Sequence, residues 1–278
     1  MDNNKDKVKN AIARIGQGPD AINTDADWLK FLAFQSKFYN YSYGNTLLIY
    51  QQNPQSTFVK GYRAWNQLGR YVKRGAYGIM ILAPCFRNQK NGEGQEDNKA
   101  GGKKPAGFRA AYVYDIADTA GSDEYLPVLV KGLEGNGAEE QEIYEKLKAH
   151  ISRMHRIREV DGTAAKGSYD TKTGVICVRA DMEYMQKIKT ILHEYAHAID
   201  FALNPGKEAA RNIREVIAEG TAYVVARHLG LDTSAYSMGY IKIWLGDRKG
   251  LQLAADGIQK VAYKMITELS ALGLKEAS

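Results

Sequence analysis

Apolar positions recur every three to four residues in two stretches near the start of the chain. They are Val8, Ile12 and Ile15, then Leu29, Leu32 and Ala33, with Ser36 closing the second stripe. That spacing places them on one helical face and predicts helices over 7–14 and 28–39. Asp25 or Asp27 is the expected cap of the second. YSYGNTLLIYQQNP (41–54) predicts a further short helix, stopped by Asn53-Pro54. The pattern then changes. A helix is expected over 62–68 and ends at Gly69. Strands follow over 70–74 and 78–86, joined by a turn at Gly75, and a further strand runs over 108–118. Beyond it a helix is predicted over 139–157, and SYDTKTGVICVRA (168–180) alternates about a turn at Thr173-Gly174. Helices over 183–203, 207–229, 234–245 and 250–272 complete the pattern.

This order predicts an α+β protein: N-terminal helices with a small antiparallel sheet, then a small sheet followed by a helical block. RNQKNGEGQEDNKAGGKKPAG holds no apolar residue larger than alanine. It reads as a flexible insertion over about 88–107, at the tip of a long hairpin, because a strand is expected on each side. Turn-forming residues cluster at 120–135, so the domains are placed at 1–125 and 126–278. No internal repeat is present.

Composition narrows the class. With 278 residues, 44% hydrophobic and 25% charged, the chain is expected to be globular. No apolar run approaches the roughly 18 residues of a membrane span, and MDNNKDKVKN has no signal core, so a cytoplasmic protein without a membrane partner is expected. Cys85 and Cys177 fit neither a disulfide framework nor a cysteine zinc site. The net charge of +6 is unevenly spread. Residues 1–109 carry 17 Lys+Arg against 8 Asp+Glu, and residues 110–278 carry 21 against 24. A polyanion partner is therefore sought in the first part of the chain.

TILHEYAHAIDF (190–201) carries the clearest chemistry. On a helix, His193 and His197 lie one turn apart on one face and can share a metal ion. Glu194 sits beside that ion, where it can take a proton from an activated water. A histidine at 203 would make the longer three-histidine motif, but the residue there is Leu203. A glutamate is expected instead, from REVIAEGTAYVVARHLG (214–230). Glu219, followed by Gly220 and small residues that let two helices approach, is selected as the third ligand. Glu215 is the alternative ligand or an acceptor for a histidine N–H, and a salt bridge to Arg211 or Arg214 is its other reading. Asp200 can orient a ligand or lie at the surface. Tyr240, like Tyr236, is a candidate for steadying an oxyanion or for core packing. His150, His155 and His228 have no ligand spacing.

Residues 31–65 are rich in aromatics, interleaved with or followed by Lys37, Lys60, Arg63, Arg70, Lys73 and Arg74. Aromatic faces stack on unpaired bases while cations track phosphates, so the combination suits single-stranded nucleic acid. The other reading of those aromatics is a domain core.

NYSYGNTLLIYQQNP, GYRAWNQLGRYVKRGAYGIMILAP and AAYVYDIADTAG together resemble the N-terminal single-stranded-DNA-binding domain of the ArdC antirestriction proteins. KTILHEYAHAIDF and REVIAEGTAYVV resemble the zincin-type metallopeptidase domain that follows it, related to the ImmA/IrrE peptidases. The resemblance spans about residues 5–245 in the same order. It implies one zinc ion held by His193, His197 and Glu219, with Glu194 as catalyst and an unknown protein or peptide as substrate. It implies DNA contacts at Tyr43, Asn45 and Trp65, beside the cations Lys60, Arg63, Lys73 and Arg74. KGSYD (166–170) resembles the strand that leads to the active site, whose edge can pair with an extended peptide. The charged 88–107 segment departs from the family, where that stretch is short. A role for such proteins in protecting incoming DNA on mobile elements follows from the resemblance alone. The alternative is a non-enzymatic DNA-binding antirestriction protein whose metal is structural.

Overall fold

The computed structural model of the chain describes residues 2–18, 24–86, 106–124, 126, 137–162, 165–205, 211–233 and 248–270. The helix expected at 234–245, with Tyr236 and Tyr240, lies outside the described residues, as does all but the end of the 88–107 segment. The chain is α+β, as its pattern predicts. Contacts divide it into two compact units, one from residues 1–18 and 47–125, the other from 19–46 and 126–278. Residues 19–46 therefore depart from the expected 1–125 domain: their helix packs with the second unit. Sequence adjacency alone suggested otherwise, and long-range packing decides.

The first unit holds α1 (Asp2–Gln17), the end of α3 (Tyr43–Gln52), β1 (Val59–Gly61) and α4 (Tyr62–Gln67). β2 (Arg70–Val72), β3 (Ile79–Cys85), β4 (Gly107–Asp115) and β5 (Thr119–Gly121) follow. β3 and β4 form the expected long hairpin, from Ile79 opposite Val113 to Cys85 opposite Gly107. β1 adds to the other side of β4, so the sheet order is β1-β4-β3. Leu48, Ala11 and Leu82 are buried together, with Val8, Ile15 and Met80 around them. β2 and β5 make a separate antiparallel ribbon. Gly121 sits there at φ 132, and a Cβ would fall 2.4 Å from the Gly69 carbonyl oxygen, so only glycine fits. Asp115 ties the end of β4 to the start of β1, accepting from the backbone N–H groups of Thr57 and Ala117.

The second unit begins with α2 (Asp25–Lys37). Its cap is Thr24, in a reciprocal capping box with Asp27, and not Asp25 or Asp27 alone. α5 (Ala138–Ile151) stops six residues before the expected end, in tight turns that carry the N–H groups of Arg153, Met154 and His155 back to His150 and Ile151. β6 (Ile157–Val160) begins where the helix was expected to end and pairs in parallel with β8 (Ile176–Arg179). β7 (Gly167–Tyr169) pairs antiparallel with the other side of β8, so β7 is an edge strand. Gly174, at φ 69, makes the expected turn between them.

Three helices complete the unit: α6 (Tyr184–Leu203), α7 (Arg211–His228) and α8 (Arg248–Ser270). α6 buries Ile188, Ile191, Leu192, Tyr195, Ala196 and Ile199. At its end, Asn204 donates its side-chain N–H to Asp200, and Pro205 prevents another turn. α7 and α8 approach closely through two glycines. A Cβ on Gly220 would meet Ile258 at 2.3 Å, and one on Gly257 would meet Ile217 at 2.6 Å. Gly220 thus serves the contact of α7 with α8, not the expected contact with α6. Gln259 of α8 donates to the carbonyls of Phe38 and Tyr39 and accepts from Gln35 of α2, which docks the 24–46 segment onto this bundle.

Candidate metal centre

Lys189, His193 and His197 stand at successive turns of one face of α6, and Glu219 and Glu215 at successive turns of α7. The helices run in opposite directions, so the two ladders pair rung by rung. At one end Lys189 Nζ lies 2.5 Å from Glu219 Oε1. In the middle, Glu219 Oε2 lies 3.2 Å from His193 Nδ1. At the other end the imidazoles turn toward each other, their Nε2 atoms 3.1 Å apart. Glu215 Oε2 lies 3.5 Å from His193 Nε2 and 3.6 Å from His197 Nε2.

These three donors form a group that could hold a metal ion. A tetrahedral ion with ligand distances of about 2.0–2.1 Å separates its donors by roughly 3.3 Å. The observed separations match, so the residues fit such an ion. The geometry differs from the sequence reading in one respect. Glu215, and not Glu219, faces the two Nε2 atoms. Glu219 lies behind His193, against Nδ1, where a carboxylate orients a ligand rather than serving as one.

Charge follows the same division. Burial would lower the pKa of His193, but the carboxylates of Glu215, Glu219 and Glu194 outweigh it and raise it to about 9. Burial and the neighbouring His193 hold His197 down to about 4. The hydrogen bond with His193 lowers Glu215. Burial would raise Glu219, yet His193 and Lys189 together keep it below the usual carboxylate range.

Glu194 points away from this ladder, toward β7. It is buried, and that burial pushes its carboxyl up to about 7, against the pull of His193 and a hydrogen bond from the Tyr169 backbone N–H. Such a group exchanges protons near neutrality. Gly167 makes room for it. A Cβ there would fall 2.5 Å from Thr190 Cγ2 and 3.0 Å from Glu194 Oε1. The KGSYD segment therefore lies directly over the motif helix. Between them runs a cleft of about 620 Å³, open along β7 and lined also by Lys166, Phe201 and Arg211.

The other candidates are dispersed. Asp200 lines the cleft but accepts from Asn204, so it finishes α6. His228 packs edge-on to Tyr39, and His155 packs against Tyr169 and Tyr195. Of the residues expected to touch DNA, Tyr43 and Trp65 are core residues. Trp65 is 0% exposed, with its indole N–H donated to the Tyr114 carbonyl, and the Tyr43 ring packs edge-on to Phe31. Neither ring has a face free for a base. Asn45 is half-buried in α3, and Lys60 lies over the Phe58 ring. Arg63, Lys73 and Arg74 are exposed, and Lys73 donates to the Ala117 carbonyl. Exposed aromatics of the first unit include Tyr62, Tyr71 and Tyr77, with Phe86, Phe108 and Tyr112. Lys189 was absent from the sequence reading, although its position four residues before His193 placed it on the ligand face.

Comparison with known proteins bears on the N-terminal region and on the fold. Residues 5–114 match the family described as the N-terminal domain of anti-restriction factor ArdC. Crystal structures of the antirestriction ArdC protein from plasmid R388 share the fold. The metal-free form has a TM-score of 0.51 and 17% identity, over 83% of this chain and 86% of that one. The Mn(II)-bound form has a TM-score of 0.52 and 16% identity, over 85% and 91%. An uncharacterised protein of Bacillus anthracis is 24% identical over 92% of the chain. The chain spans about half the length of that relative, 48%.

Proposed function

We propose that this chain, which is ArdC-like in its N-terminal domain and in its fold, is a metal-dependent peptidase that also binds single-stranded DNA, in a cytoplasmic antirestriction role. One observation carries the catalytic half. Two Nε2 atoms and one carboxylate converge at metal-ligand spacing beside a buried, near-neutral carboxyl, under an open strand edge. His193, His197 and Glu215 would hold the ion, and the two imidazoles with a carboxylate suit zinc better than manganese. When bound, that ion polarises a scissile carbonyl and acidifies a water. Glu194 accepts a proton at its carboxylate and returns one to the leaving amine nitrogen. β7 is an edge strand whose outward backbone, apart from the Tyr169 N–H that Glu194 engages, is offered to an extended peptide in the manner of strand addition. Glu219 fixes the orientation of His193.

The DNA half rests on the basic first part of the chain and on exposed rings among exposed cations. Tyr62, Tyr71 and Tyr77 offer faces for bases, and Arg63, Lys73 and Arg74 offer charge to phosphates.

The test is a comparison of wild type with Glu194→Gln and His193→Ala, all checked for folding by circular dichroism. Metal content, hydrolysis of an unfolded protein substrate and protection of DNA from restriction are read in each. The reading expects Glu194→Gln to keep its metal and lose hydrolysis, and His193→Ala to lose both. Protection retained in Glu194→Gln and lost in His193→Ala favours the other reading, a DNA-binding antirestriction protein with a structural metal.

A further inference from the structure

Lys189 is an unusual residue to find on the buried face of a helix. Its side chain is 10% exposed, and lysine is almost never buried without a partner. Its Nζ lies 2.5 Å from Glu219 Oε1, on a carboxylate that is itself 9% exposed. The other oxygen of that carboxylate faces His193 Nδ1. Ammonium, carboxylate and imidazole thus form one line, spanning one turn of α6 and one residue of α7. The line ends on the ring whose Nε2 looks toward His197 and Glu215.

We propose that Lys189 is a positioning residue for the metal centre, acting through Glu219 on His193. The inference rests on the metal reading given above. A carboxylate has two oxygens, and a single contact leaves it free to rotate about its last bond. Lys189 engages one oxygen, so the other is presented to Nδ1 in a fixed direction. An imidazole that donates from Nδ1 carries its lone pair on Nε2, the atom on the ligand side. The pair also assigns parts to the two glutamates. Glu219, occupied by Lys189, stays behind the histidine, and Glu215, one turn away, is left to face the two Nε2 atoms. The ladder spacing makes this assignment, since Lys189 is four residues before His193 and Glu219 four after Glu215.

The experiment is a calorimetric titration with Zn(II) and with Mn(II) of wild type, Lys189→Met, Lys189→Arg, Glu219→Gln and Lys189→Met/Glu219→Gln. Each is confirmed to be folded by circular dichroism. Loss of an outer partner of a metal-bound histidine costs roughly 10–100-fold in affinity, and that is the expected loss for Lys189→Met. Lys189→Arg, which keeps the cation, recovers most of it. In the Glu219→Gln background, replacing Lys189 has no further effect, because the contact it acts through is already altered. Should Lys189→Met alone fail to fold, the double variant removes both buried charges together and decides the matter against Glu219→Gln. Wild-type affinity in folded Lys189→Met, or losses that add in the double variant, overturns the proposal while leaving the metal reading intact. A folded wild type that takes up neither ion overturns both.

Discussion

Glu215 and Glu219 are the same residue type one turn apart on one helix, and their neighbours separate them. Glu219 meets an ammonium and an Nδ1; Glu215 meets two Nε2 atoms. Glu215→Gln is therefore expected to abolish bound metal, while Glu219→Gln retains it at roughly 10–100-fold lower affinity. Elemental analysis after dialysis against graded chelator separates the two, and equal loss in both would contradict the assignment. That His193 and His197 share one helical face was legible in the sequence, because an i, i+4 spacing is local. The choice between two glutamates was not, because it depends on how two helices register. The aromatics show the same limit. Trp65 and Tyr62 are three residues apart in one short segment, yet one ring is 0% exposed and the other 54%. Trp65→Ala is expected to cost about 3–5 kcal/mol of stability. Tyr62→Ala should change stability by less than about 0.5 kcal/mol and weaken binding to a single-stranded oligonucleotide. Chemical denaturation beside fluorescence-anisotropy binding checks both.

Among the elements, α7 is held in place from its back. The reciprocal contacts of Gly220 with Ile258 and of Gly257 with Ile217 leave no space for a methyl group on either glycine. Gly220→Ala gains about 1 kcal/mol in helix propensity but overpacks a full core, which costs about 1–3 kcal/mol. A net loss of stability is expected, and Ile258→Val in the same chain should recover part of it. Strict additivity in a double-mutant cycle of thermal melts would show that the two side chains do not meet. β6 was the element least legible beforehand. IREV offers no alternation of apolar and polar residues, and it forms a strand because β8 is there to pair with. It is also tied to α5, where Glu159 accepts from Lys148 Nζ at 2.7 Å and from the Tyr144 hydroxyl at 2.8 Å. The Lys148 bond, aided by Tyr144, holds the Glu159 carboxyl below the usual range against its burial. A depressed carboxylate stabilises the fold above its unfolded pKa, and that contribution disappears as pH falls through the folded value. Glu159→Gln should thus be less stable than wild type at pH 7, by about 1 kcal/mol. The gap should close as pH drops below about 4. A gap that stays constant across this range would sink the argument.

At the level of the whole molecule, composition pointed correctly to a charge asymmetry, but contiguous domains were too simple. Residues 19–46 carry part of the matched N-terminal family yet pack with the second unit through Gln35 and Gln259. No local pattern could reveal a partner more than 200 positions away. If the exposed cations of the first unit meet phosphates, binding to single-stranded DNA must weaken with salt. The slope of log affinity on log salt should fall by about 0.7 for each contact removed. Arg63→Ala/Lys73→Ala tests this, with a reduction of about 1.4 expected. An unchanged slope would place the phosphate contacts elsewhere.

The open edge over the metal centre is short. β7 has three residues, or about 10 Å of backbone, bounded by the charges of Lys166 and Asp170. An edge of that length is a poor template for a neighbouring copy to extend into a growing sheet. The same shortness restricts what can enter. A folded domain offers only edge strands already paired on one side, whereas an unravelled loop or frayed terminus is free on both. Whatever the cleft accepts would be chosen by its local unfolding more than by its sequence.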